Sequence, residues 1–337
     1  MNRRFFVLSG LALLAGCGGG SRPYSTELVG GGGPTPTPSP SPTPTPTLPP
    51  SGAQPIAVMT SSRDGSMGFY QVRTDGSAVR LADTEADTFL LGTSVTGNKM
   101  LFRVAGDLYI ANTDATGRTR LTTSGRVASG SISADGTRVA FAENTDRTGN
   151  LLLIGTGNVA QLKTMNADGT NVQTLREGIA LNSPRYSPDT TRIAFNEFVG
   201  SGDSRLWTMA ADGSDAKIAT SHPERNFGPV PERYFTLGWN WLPTGRLIYC
   251  FVDLSGPSAA HPLETILPNA TGLQTIRTGT DFIPVGRISY TGAQLLRFGP
   301  SSNRGLILED LVSGQQIQLI SDSTVTSAEF LTIGQAG

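Results

Sequence analysis

Histidine and cysteine are nearly absent from this chain, which holds two of each in 337 residues. His222 and His261 each stand beside a proline with no cysteine nearby, so a structural zinc centre is excluded and only a mixed histidine–carboxylate site stays open. No metal and no cofactor is therefore expected. Cys17 and Cys250 cannot supply a disulfide framework. Excess positive charge is missing too: 26 Lys and Arg face 27 Asp and Glu, a net −1, which leaves no electrostatic footprint for nucleic acid. The apolar run Phe5–Gly16 falls short of the about 20 residues a membrane-spanning helix needs. No long stretch carries the 3.6-residue apolar period of an amphipathic helix. There is no Gly-x-Ser-x-Gly nucleophile elbow and no Asp-x-Asp-x-Asp-Gly calcium loop.

The N-terminal segment has its own logic. Arg3 and Arg4 precede the apolar run, a cleavable leader pattern over residues 1–16. Leu14-Ala-Gly16 before Cys17 resembles a bacterial lipobox, which implies that Cys17 is diacylated and becomes the new N-terminus. Asn2-Arg3-Arg4-Phe5-Phe6-Val7 also resembles a twin-arginine motif, and the export route stays open. Two acyl chains anchor stably where one is marginal. Residues 17–54 then form a tether, glycine-rich to Gly33 and alternating proline with threonine or serine from Pro34 to Pro50. The second part is expected to be extended polyproline II, at roughly 3.1 Å per residue about 50 Å long. Cleavage removes two arginines and takes the net charge to about −3.

From residue 55 to 337 the chain repeats itself. Ser131-Ile-Ser-Ala-Asp-Gly-Thr-Arg-Val-Ala-Phe141 is answered by Tyr186-Ser-Pro-Asp-Thr-Thr-Arg-Ile-Ala-Phe195, and Lys163-Thr-Met-Asn-Ala-Asp-Gly-Thr170 by Leu206-Trp-Thr-Met-Ala-Ala-Asp-Gly-Ser214. Short β-branched and aromatic runs cut by Asp-Gly pairs read as strands joined by tight turns. One turn series contains Gly76, Gly117, Gly169, Gly213, Gly272 and Gly314, at the period of four-stranded blades. A second contains Gly97, Gly136, Thr190, Gly245 and Gly292, with Gly334 as a degenerate member. Cys250, in the apolar run Arg246–Val252, reads as a small buried hydrophobe.

These units resemble the WD40-like repeat of the TolB propeller family, over about Pro55 to the C-terminus and less clearly in the last two blades. The resemblance implies an all-β fold, a six-bladed β-propeller whose strands run from the central channel outwards. In that frame 326–332 is an innermost strand without a successor, and 56–61 a second strand without a predecessor. The N- and C-terminal strands would share the closing blade, which removes an exposed edge. TolB has an α/β domain ahead of its propeller; a proline tether stands there in this chain, so TolB's partners do not carry over.

Both glycine-turn series fall on one face of such a disc. The chain lengthens on the other, at 144–158, 221–233 and 253–262, and length without secondary structure is where ligand contacts are commonly built. The richest insertion supplies His222, Arg225, Phe227, Arg233 and Tyr234 and runs into Trp239 and Trp241. Arginine forks and flat aromatic faces suit peptides, glycans or protein hot spots. Packing between blades is the competing role for the two tryptophans, which share one side of their strand. Propeller lyases that act on pectin fragments share this repeat type, but they hold a metal through several histidines. The sequence expectation is thus a non-catalytic, monomeric lipoprotein of a bacterial cell envelope, at the outer membrane or cell surface with the periplasmic side open. It would bind an envelope protein, peptide or glycan; the alternative is a propeller enzyme on carbohydrate or another small substrate at the channel mouth.

Overall fold

A computed structural model describes residues 52–96, 98–145, 159–179, 181–199, 203–219, 234–253, 261–279, 287–299 and 305–331. Some strand-end residues, Tyr234 and Cys250 among them, are described by backbone alone. The leader, Cys17 and the tether up to residue 51 lie outside the described residues, as do Gly97, Gly334 and most of each of the three insertions.

Six four-stranded antiparallel sheets make up the described fold, and no helix occurs among those residues. The closing blade runs outward as Val325–Phe330, Pro55–Ser61, Gly68–Arg73 and Ala78–Asp83, and we call it blade 1. Blades 2 to 6 follow in chain order from the innermost strands Thr88–Thr93, Val127–Ile132, Leu181–Tyr186, Tyr234–Trp241 and Arg287–Ile288. The two-ended clasp expected from the sequence is present, with Ala57 opposite Phe330, Val58 opposite Glu329 and Met59 opposite Ala328. A hydroxyl ladder reinforces it: Thr60 Oγ1 lies 2.5 Å from Ser327 Oγ, and Ser61 Oγ lies 2.6 Å from Thr324 Oγ1. Ser327 Oγ also accepts the Leu90 amide of blade 2 at 2.8 Å, so the closing strand is tied to both neighbours.

The core is a set of wedges between blades. Six apolar clusters occur among the described residues, one for each interface between adjacent blades. This explains the run Arg-Val-Ala-Phe in the repeat. A second strand is covered on both faces, so it needs apolar side chains at consecutive positions. Val139 and Phe141 enter the wedge toward blade 2, while Ala140 enters the wedge toward blade 4. Ile193 and Phe195 likewise face blade 3, and Ala194 faces blade 5. A large–small–large pattern lets each sheet insert bulky residues into one gap and leave room in the other at ordinary sheet spacing.

The repeated turns are hydrogen-bonded units. Ser133 Oγ donates to Asp135 Oδ1 at 2.6 Å and accepts the Arg138 amide at 3.0 Å, while Asp135 Oδ1 accepts the Thr137 amide at 3.0 Å. Ser187, Asp189, Thr191 and Arg192 repeat the arrangement in blade 4. The outer turn places Asp75, Asp114, Asp168 and Asp212 so that each accepts both the amide and the hydroxyl of the residue two ahead. These bonds hold all six aspartates below the usual carboxylate range, the Ser or Thr hydroxyl being the largest cause. Such aspartates satisfy turn backbones, as the sequence reading expected.

Candidate functional site

Antiparallel pairing puts the turns between first and second strands of blades 2 to 6 at one end, together with the turns between third and fourth strands. The insertions leave from the opposite end: Asn144 opposite Ala160, Tyr234 opposite Asp253, and His261 opposite Gly279 mark their anchors. His222, Arg225, Phe227 and Arg233 lie outside the described residues. Tyr234 opens the innermost strand of blade 5 at the insertion end, and only its backbone is described.

Trp239 and Trp241 are both buried and belong to the wedge between blades 4 and 5. They differ in reach. Trp239 lies beneath the guanidinium of Arg185, 5.7 Å from the ring centre. Trp241 donates from Nε1 to the Arg185 carbonyl at 3.1 Å and also lines a cavity at the end where the short turns lie. The surface expected to be least eventful thus carries the channel mouth.

That cavity holds about 530 Å³ and draws on the innermost strands of all six blades. Its volume falls in the range of small-molecule sites, about 300–1,000 Å³. Strand register shows how it is built. Gly92, Ser131, Arg185, Asn240, Arg287 and Glu329 oppose Leu101, Ala140, Ala194, Ile248, Leu296 and Val58, the equivalent second-strand positions. These six residues, one from each blade, line the cavity as a ring of five polar side chains and a glycine. The next residue along each strand supplies a second ring: Thr93, Ile132, Tyr186, Trp241, Ile288 and Phe330. One ring is polar with charges of both signs, and its neighbour is mostly apolar and half aromatic.

Polar groups in the cavity differ in how they are satisfied. Glu329 is buried and ion-paired with Arg287 Nε, whose Nη2 also points to the Leu91 carbonyl at 3.5 Å. Burial pushes the Glu329 carboxyl up to about 7, against the opposing pull of Arg287. Tyr290 donates to the Thr93 carbonyl at 2.9 Å and is pushed up to about 12, chiefly by burial. Thr93 Oγ1 donates to the Phe330 carbonyl at 2.5 Å, which ties blade 2 to the clasp. By contrast, Arg185 Nε and Ser131 Oγ are buried atoms without a hydrogen-bond partner among the described residues.

No protein-family model and no curated protein matches the sequence. Solved structures do match the fold. TolB from Acinetobacter baumannii superposes with a TM-score of 0.60 at 12% identity, over 82% of this chain and 66% of that one. An oligogalacturonate lyase from Vibrio parahaemolyticus gives 0.56 at 14%, over 79% and 74%. A chain of a nidogen/laminin complex gives 0.54 at 11%, over 83% and 99%. The chain has the TolB-like propeller fold. At these identities the likeness is one of fold, and site residues do not transfer.

Within this TolB-like propeller, Arg185, Arg287, Glu329, Ser131, Asn240 and Tyr290 are cavity residues that the sequence reading passed over. A signal for four of them was present: Ser131, Arg185, Asn240 and Arg287 each stand two residues before the residue that opens the turn after the first strand, while Glu329 takes the same place by pairing with Val58. At that position the repeat has no common chemistry, reading Gly, Ser, Arg, Asn, Arg and Glu around the ring. Among the described residues no three His, Cys, Asp or Glu side chains are grouped to hold a metal ion.

Proposed function

We propose that this protein is a non-catalytic binding or scaffolding propeller, held at a bacterial cell envelope by a diacylated Cys17 and a Pro/Thr tether, and that the channel-mouth cavity is its ligand site. The observation that carries the reading is the cavity itself. Five blades contribute one polar residue of varying type and the sixth contributes Gly92, each with one packed neighbour, to a concavity of about 530 Å³. Concave, largely apolar sites with a few convergent polar groups are where ligands bind. Unidentified envelope proteins, peptides and glycans are the partner classes. TolB and the nidogen/laminin chain give this reading a precedent in fold alone.

Recovery of partners from envelope extract on the immobilised protein tests the proposal. Trp241→Ala and Arg185→Met should each reduce recovery at least several-fold, with Arg225→Ala, Arg233→Ala and Tyr234→Ala as the comparison set at the insertion end. Unchanged recovery by both cavity variants, with loss in the insertion set, would move the site to the opposite face. Turnover on a polysaccharide panel would replace the binding reading with an enzymatic one.

A further inference from the structure

The polar ring is not balanced in charge. Arg287 and Glu329 come from adjacent blades and form a direct ion pair. Arg185, two blades away from Arg287 around the ring, has no side-chain hydrogen bond or ion pair among the described residues. Its guanidinium rests on Trp239, a contact that orients the fork without neutralising it. Among the described residues the Arg185 charge therefore has no counter-charge in direct contact. Beside it, in the adjacent blade, stands Ser131, whose Oγ is also buried and without a partner. Buried polar atoms left unsatisfied are costly, and two of them on adjacent blades of one cavity wall are a vacancy for one complementary group.

We infer that the cavity binds a ligand through a single carboxylate, accepted by Arg185 and Ser131, with the body of the ligand against the ring formed by Ile132, Tyr186, Trp241, Ile288 and Phe330. This rests on the cavity being the ligand site. The carboxylate is argued over a phosphate in three steps. Among the described residues of the ring one cation is without an ion pair, which matches a monoanion. The open Nε edge of Arg185 offers the side-on, two-donor geometry that a planar carboxylate fits. A dianion would meet Glu329 in the same ring and the ionised Asp135 and Asp189 at the rim, which raises its cost of entry. Ser131 can donate its proton to one carboxylate oxygen, and Asn240 on the other side of Arg185 has an amide NH2 for the second. The Asn240 carbonyl oxygen is already committed to the Trp241 amide at 2.9 Å, which leaves that NH2 available.

Benzoate and cyclohexanecarboxylate, each beside its neutral amide, and phenyl phosphate are the probes, titrated into the full-length protein and followed by ligand-detected NMR. Both acids should bind saturably, their amides at least tenfold more weakly, and phenyl phosphate more weakly than benzoate. Arg185→Met should weaken the acids at least tenfold without changing the amides. Arg185→Lys, which keeps the charge and loses the fork, should weaken them at least threefold. Ser131→Ala should weaken them by a smaller factor. Thermal unfolding of each variant shows whether it is folded, and the Lys and Ala variants keep the test decisive if the Met variant is not. The inference is overturned if neither acid binds, if acid and amide bind equally, if Arg185→Met and Arg185→Lys leave the acids unchanged, or if phenyl phosphate binds more tightly. If these probes fail while recovery from extract still depends on Trp241, the cavity stands as the site and the carboxylate assignment falls. If neither depends on the cavity residues, both fall.

Discussion

Glu329 lies on the closing strand, fully enclosed, and its carboxyl is raised from the ordinary 4.5 to about 7 by burial against the partial compensation of Arg287. A raised carboxyl binds its proton more tightly in the folded chain than in the unfolded one. Its contribution to stability is complete below about pH 4.5 and is lost as the pH rises through about 7. At about 1.4 kcal/mol per pH unit the full displacement amounts to about 3 kcal/mol, of which about 2–3 kcal/mol falls between pH 5 and pH 8. The lowered turn aspartates act with the opposite sign, and their contribution fades only as the pH falls below the usual carboxylate range, outside this window. Urea unfolding at pH 5, 6, 7 and 8 should thus show stability falling with pH, with the thermal midpoint lower by about 5 °C at the alkaline end. Because an unperturbed imidazole changes charge between pH 5 and 8, the measurement is made with His222 and His261 both replaced by Gln. Glu329→Gln keeps the shape and an oxygen for Arg287, and should flatten the slope to within about 0.5 kcal/mol. Stability that is flat or rising from pH 5 to 8, or a slope that survives Glu329→Gln, would refute the assignment of a buried ion pair at the clasp.

Three further outcomes follow from the fold. Phe330→Ala on the closing strand should cost about 3–5 kcal/mol in chemical denaturation, because Phe330 is buried between blades 6 and 1; removing residues 324–337 should forfeit a large part of the about 5–15 kcal/mol typical of a domain and release soluble protein into aggregates. Thr190 sits at φ 60° where sister turns have glycine, and the left-handed region costs a β-branched residue about 1–2 kcal/mol. After the added freedom of the unfolded chain is counted, Thr190→Gly should stabilise the protein by about 0.5–1 kcal/mol, read as a higher denaturation midpoint. Gly76→Ala should destabilise by roughly 2–3 kcal/mol, since its Cβ would stand 2.6 Å from the Leu319 carbonyl oxygen in blade 6 at a φ of +79°; Gly245→Ala, at φ +76° with open space around it, should cost about 1 kcal/mol in the same assay.

The blade count and the clasp were legible because turn chemistry is local. A Ser-x-Asp-Gly-Thr stretch closes its own hydrogen bonds, so each copy marks a turn wherever it occurs, and the last copies leave one strand without a successor at the C-terminus. The Val-Ala-Phe run also announces a strand covered on both faces. The cavity was harder to see. Its lining comes from one position per blade, and such positions are brought together by ring closure rather than by nearness in sequence. Arg185 and Arg287 stand far apart in the chain and look like unremarkable substitutions until they are aligned on the turn that follows them, and Glu329 joins them only through the clasp. Insertion length and aromatic richness drew the reading to residues 221–241, where Trp239 and Trp241 proved to serve blade packing first, with Trp241 alone of the two reaching the cavity wall. Both tryptophans share a strand face, as expected, yet two residues of axial height separate a ring that touches the cavity from one that lies under Arg185.

The central claim is that the ligand site is the channel mouth. Its most direct measurement is fluorine NMR of the protein carrying 5-fluorotryptophan at Trp207, Trp239 and Trp241, titrated with benzoate beside benzamide. Trp207 stacks on Phe195 in blade 4 and is an internal reference. Saturable movement of the Trp241 resonance with benzoate, a smaller movement of Trp239, a still Trp207 and loss of the effect in Arg185→Met are the expected result. A Trp241 resonance that stays fixed while benzoate binds would contradict the account, whereas one that moves equally with benzamide and in Arg185→Met would keep the site and remove only the carboxylate assignment.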